Sequence, residues 1–84
     1  RNPIPTYPEP LRQAGIAGRV LAEFVVDSTG RVRPGSVLVV ESSHPQFEAS
    51  VKRTVPSLRF APARVRGAKV AQRVRMPFEF EVSR

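Results

Sequence analysis

In the last third of the chain Val70, Val74, Met76, Phe78, Phe80 and Val82 fall on alternate positions, and Pro77 stands among them. Strict period-two alternation of this length marks a long strand with one buried face. A proline inside such a strand offers no N–H to a neighbour, which places the strand at the edge of its sheet. An edge strand leaves a row of backbone donors and acceptors unpaired. The rest of the chain must then supply an inner neighbour for that strand and a layer to cover its apolar face.

The inner neighbour is read at Gly18 to Asp27, where Val20, Ala22, Phe24 and Val26 alternate with Arg19, Leu21, Glu23 and Val25. Asp27-Ser28-Thr29-Gly30 is a hairpin connection, so a second strand, roughly Val32 to Glu41, is expected to return antiparallel. Pro34-Gly35 interrupts it and puts Val32 out of phase with Val37 and Val39, which predicts a bulge or break there. Two helices are expected for the covering layer. The first follows an extended tail of residues 1–6, with Thr6 as cap, Glu9 as its capping-box partner, Leu11 and Ala14 inward, and Gly15 at the end. The second starts at Ser43, with Gln46 at the box position, presents Phe47, Val51, Val55 and Leu58 on one face, and ends at Pro56. After it, Leu58 to Ala63 reads as extended, Arg66-Gly67 as a turn, and Lys69 to Val82 as the final strand.

This order predicts an α+β fold over residues 1–84, read as one domain: a small three-stranded antiparallel sheet with two helices packed on one face. Charge chooses the topology. If the first and last strands lie antiparallel, Arg19 comes near Glu79 or Glu81, while Glu23 and Asp27 come near Arg75 and Arg73; a parallel arrangement brings like charges together. Each such pair is worth only ~0.2–1 kcal/mol, but together they favour the sheet order 2-1-3 with the last strand open on its outer side.

Composition narrows the chemistry. The 84 residues include no cysteine, which excludes disulfides, thiolate metal sites and cysteine nucleophiles. No apolar run approaches the ~20 residues of a membrane-spanning helix. The chain holds no signal peptide and opens on Arg1 without a methionine, which predicts a domain cut from a longer protein with its anchor elsewhere. Fourteen basic and seven acidic residues give a net charge of +7, which suits acidic partners. The arginines are scattered, however, and the phenylalanines occupy core positions with no stacking platform, so no nucleic-acid partner is expected. His44 is the one histidine and reads as a solvated residue at a helix start. Ser42-Ser43 has no partner base. Gly15-Ile16-Ala17-Gly18 leads into a strand and is not a phosphate loop. Neither an enzyme, a cofactor nor a metal site is expected.

The open edge remains. In a regular strand, residues sharing a face also direct N–H and C=O to one side, so Ala71, Arg73, Arg75, Pro77, Glu79 and Glu81 are expected to present backbone outward. Such an edge accepts an extended peptide as an added strand, with Arg73 and Arg75 favouring acidic peptides.

Tyr7-Pro8, Gly15-Ile16-Ala17-Gly18-Arg19-Val20, Phe24-Val25-Val26-Asp27 with Gly30-Arg31-Val32, Val39-Val40-Glu41-Ser42-Ser43, Leu58-Arg59-Phe60-Ala61-Pro62-Ala63, Gly67 and Pro77-Phe78-Glu79-Phe80 together resemble the C-terminal domain of TonB-family energy transducers. The likeness spans nearly the whole chain. It departs at Pro34-Gly35 and at Phe47-Glu48, where many members carry Leu-Asp. The resemblance implies a periplasmic domain of an inner-membrane-anchored protein. Its implied partners are the TonB box of outer-membrane transporters, bound along the last strand, and an inner-membrane proton-channel motor complex reached through an N-terminal part. The same edge would also allow a homodimer. A cell-envelope scaffolding module without transporter binding is the alternative expectation, and nucleic-acid binding ranks third behind it.

Overall fold

The alternation between Gly18 and Val26 becomes strand β1 (Gly18–Val26), and its even positions Val20, Ala22 and Phe24 lose all solvent exposure. The computed structural model describes residues 2–82. Around β1 lie helix α1 (Glu9–Gln13), strand β2 (Leu38–Ser42) and helix α2 (Pro45–Thr54), continued by a 3-10 turn (Val55–Ser57). Strands β3 (Ala63–Val65), β4 (Ala68–Val70) and β5 (Gln72–Phe80) follow. The main sheet is antiparallel in the order β2-β1-β5, while β3 and β4 form a separate two-stranded sheet. The α+β architecture and the 2-1-3 order are therefore as the charge pattern predicted.

The helices cover one face. Phe47, Val51 and Val55 are fully buried against the sheet, and Leu58 joins them from the next turn. Phe47 stacks on Phe80 with ring centroids 4.3 Å apart, and Tyr7 meets both rings edge-on at 5.5 and 5.6 Å. This cluster ties α2 and the residues before α1 to the far end of β5. Burying one such aromatic side chain contributes about 1.5–3 kcal/mol. Gly18 lies beneath it: a Cβ there would overlap the Phe47 ring and the Ser43 hydroxyl.

Both helix caps differ from the expected residues. Ser43, the expected cap of α2, completes the β1–β2 ladder instead: its N–H donates to the Arg19 carbonyl at 3.0 Å and its Oγ accepts the Arg19 N–H at 3.0 Å. Capping falls to His44, whose Nδ1 accepts the Gln46 N–H at 3.2 Å, so this histidine is not simply solvated. Gln46 thus takes part through its backbone. Thr6 does not cap α1 either; its carbonyl accepts from buried Ser50, and Pro8 is the N-cap with no side-chain bond. Glu9 pairs with Arg12 and Gln13, and the Arg12 guanidinium first, then Gln13, holds its carboxyl below the usual range. Leu11 is buried as expected, whereas Ala14 is exposed because the short helix ends before it. Gly15 does take a left-handed conformation there (φ 70°). The tail is pinned: the Asn2 side chain donates to and accepts from the Arg59 backbone.

The second strand is shorter than the expected Val32 to Glu41. Val32 makes an isolated bridge to Val26, then Arg33 to Ser36 turns away around Pro34-Gly35. The Ser36 hydroxyl substitutes for the missing strand by accepting the Val25 N–H at 3.0 Å. Phase is restored further along as well, where a register shift at Leu21/Ala22 leaves Val40 as the extra residue of a bulge. The final strand is divided. β1 ends at Val26 opposite Gln72, so residues before Gln72 have no β1 partner, and Ala68–Val70 pair with Ala63–Val65 across a turn at Arg66 and Gly67. Both turn residues have positive φ (51° and 82°), the geometry of a tight two-residue hairpin. At the other end Gly18 pairs with Phe80, so Glu81 and Val82 lie outside the ladder.

Asp27 accepts from the Thr29 hydroxyl, the Thr29 N–H and the Arg31 N–H, and these bonds hold its carboxyl below the usual aspartate range. A carboxylate lowered by folding stabilises fully above its unfolded pKa and loses that contribution as pH falls through the folded one. The Asp27 to Arg31 turn should therefore loosen only below the ordinary aspartate range, and an NMR titration of the Asp27 carboxyl should show a depressed midpoint; an ordinary midpoint would remove this account. For Gly18→Ala the overlap with Phe47 predicts a loss of about 1–3 kcal/mol in urea unfolding, against near-neutrality if the ring is free to shift.

Candidate functional site

β5 is the outer strand of the main sheet, and the backbone around β1 establishes which way its groups point. The N–H and carbonyl of Arg19 are both engaged with Ser43, and those of Val25 with Ser36 and Arg33, all on the β2 side. By the two-residue period, Leu21 and Glu23 face β2 as well, and Val20, Ala22 and Phe24 face β5. Their partners are Phe78, Met76 and Val74. Arg73, Arg75, Pro77 and Glu79 consequently direct their backbone away from the sheet. Pro77 stands opposite Leu21, a position that asks for no N–H, so the proline leaves the intradomain ladder intact.

Four of the six expected edge residues, Arg73, Arg75, Pro77 and Glu79, thus lie on one outward-facing row within β5. Ala71 is in the break between β4 and β5, and Glu81 follows the end of β5; both are exposed, but neither is part of the ladder. On the core side Phe78 and Phe80 are buried, while Val74 and Met76, nearer Gln72, are only half-buried.

The side chains along the edge are unequally committed. Arg75 bonds Glu23, with Nε to Oε2 at 2.8 Å, and the Glu23 side chain is only 17% exposed. Arg19 and Glu79 approach to 3.4 Å. Arg73 lies opposite Val25, not Asp27, whose carboxylate serves its own turn. Among the described residues Arg73 carries no ion pair, so it is the edge arginine whose charge is not already matched.

β2 is a second open edge, but a poorer template. It has five residues against nine in β5, and its ladder carries the Val40 bulge, whereas the β1–β5 register is unbroken. β3 is a strand of its own where an extended piece ending at Ala63 was expected, and it forms a hairpin with β4 whose signal in the sequence is the Arg66-Gly67 turn.

The chain matches the family model of the Gram-negative bacterial TonB protein C-terminal over residues 3–82. It belongs to that family. The resemblance drawn from the sequence is therefore correct, and the fold is that of the periplasmic C-terminal domains of TonB-type energy transducers. Among solved structures, it is similar to the solution NMR structure of the Pseudomonas aeruginosa TonB C-terminal domain, with 30% identity and a TM-score of 0.81. That likeness covers 100% of this chain and 84% of the other. No curated protein sequence matches. Domains of this family act through protein–protein interaction, and they bind outer-membrane transporters. No helix among the described residues is long and apolar enough to cross a membrane.

Hydrogen exchange tests the orientation of the edge. Amides of Val74, Met76 and Phe78 should be protected by β1, and those of Arg73, Arg75 and Glu79 should exchange rapidly. Equal protection along β5 would mean that its outer side is already paired.

Proposed function

We propose that this domain takes up an extended peptide, the TonB box of an outer-membrane transporter, as an added strand along the outer edge of β5, and that it passes on force derived from the inner-membrane proton-motive force. The observation that carries the reading is the unbroken nine-residue edge with Pro77 on its outward row. Coupling to the inner-membrane motor complex is assigned to a part of the protein N-terminal to this domain.

Magnitudes define what the edge does. It offers outward N–H groups at Arg73, Arg75 and Glu79 and carbonyls at these residues and Pro77. Each backbone bond contributes about 0.5–1.5 kcal/mol net. Ordering each peptide residue costs about 1–2 kcal/mol, so main-chain pairing alone roughly breaks even. Backbone bonds set register and direction, and side chains decide affinity. The half-buried Val74 and Met76 offer apolar surface to alternate residues of the added strand, and unmatched Arg73 offers charge to an acidic one.

Adding a transporter-derived TonB-box peptide to isotope-labelled domain should move the amides of Arg73, Arg75 and Glu79 more than those of Leu38 to Ser42. Larger movement along β2 would transfer the site to the other edge. Shifts in β5 that follow protein concentration and ignore peptide would assign the edge to a homodimer.

A further inference from the structure

Between Glu48 and Glu79 the chain contains no acidic residue and eight basic ones, and the β3–β4 hairpin lies inside that stretch. The hairpin is a separate two-stranded sheet joined to β5 only through Ala71, and Arg64 to Lys69 are all exposed. Val65 is 57% exposed. Arg64 stands directly opposite Lys69. Like charges in directly opposed positions destabilise a ladder, and this one is only three residues long on each side. No carboxylate relieves them among the described residues; the Arg64 guanidinium donates to the Gly67 carbonyl at 2.8 Å. Arg66 adds a third charge at the tip, from a left-handed conformation uncommon for a side-chain-bearing residue.

This basic finger continues from the Arg73 end of the β5 edge. Lys69 is four residues from Arg73 and Arg66 is seven, so the charges extend roughly 13 to 23 Å beyond it along an extended chain. Resting on the strand-addition reading above, we propose that the hairpin is a second recognition element, contacting an acidic segment of the same polypeptide that pairs with β5. That segment lies about four to seven residues past the position opposite Arg73. Two other anionic partners fit less well. Each basic residue near an anionic bilayer strengthens partitioning only about fivefold, so three of them with Val65 as the one apolar contact make a weak anchor. Single-stranded nucleic acid calls for aromatic stacking surfaces, and the hairpin has none.

The test uses two peptides with the same TonB-box segment, one flanked by glutamates and one by glutamines, the flank placed in turn at each end. They are titrated into the labelled domain and into a variant carrying R64Q, R66Q and K69Q, whose fold is checked by its unperturbed β1 amide spectrum. The glutamate flank at one end should tighten binding about 3- to 30-fold at low salt and move the Arg66 and Lys69 amides. The variant should lose that preference and bind the glutamine peptide as before. If the glutamine peptide moves β5 but flank charge changes nothing, or the variant keeps the preference, the hairpin proposal fails and strand addition stands. If neither peptide moves β5, strand addition fails and the proposal falls with it. Hairpin-dependent partitioning onto phosphatidylglycerol vesicles, together with indifference to the flank, would overturn it in favour of a membrane.

Discussion

Everything in this domain depends on the nine-residue antiparallel ladder between β1 and β5. It joins Gly18 to Phe80 and Val26 to Gln72, residues far apart in the chain, so the loop-closure entropy must be offset before any of its bonds form. The offset comes from the buried face: Val20, Ala22 and Phe24 from β1 and Phe78 and Phe80 from β5 meet Phe47, Val51 and Val55 from α2. Once the ladder is in place, the length of β1 dictates where β5 begins and ends. That is why the chain before Gln72 must find a different partner, β3, and why the outer row of β5 is left open.

The aromatic cluster of Tyr7, Phe47 and Phe80 anchors one end of β5 only. Toward the hairpin Val74 and Met76 keep part of their exposure. The edge is therefore packed into the core at its Phe80 end and apolar, basic and accessible at its Arg73 end. A strand-adding peptide would find its register at the first and its chemical selectivity at the second. The charge pattern agrees with this division, since Glu79 and Arg75 are matched within the sheet by Arg19 and Glu23 while Arg73 has no ion pair among the described residues.

Much of this was legible in residue order. The alternation of Phe78 and Phe80 with Pro77 and Glu79 announced an edge strand, and the signs of Arg19, Glu23, Arg75 and Glu79 announced its antiparallel neighbour. Both signals are local or pairwise, and both survive folding because nothing else in the chain satisfies them better. Capping was not legible in the same way. Ser43 and Thr6 are good caps in isolation, but the Ser43 hydroxyl was drawn into a longer-range bond with Arg19, leaving the cap to His44, and α1 starts only at Glu9, so Pro8 and not Thr6 stands at its cap position.

By itself, then, the sequence determined the α+β class, the sheet order and the outward row at Arg73, Arg75, Pro77 and Glu79, because periodicity and charge act over a few residues or between two strands. The tertiary structure alone decided that Ala71 and Glu81 lie beyond the ladder, that Arg75 is held by Glu23 while Arg73 is free of ion pairs among the described residues, and that a basic hairpin stands beside the edge. Those outcomes depend on where β1 stops, and a strand's end is set by the partner it packs against, not by its own residues.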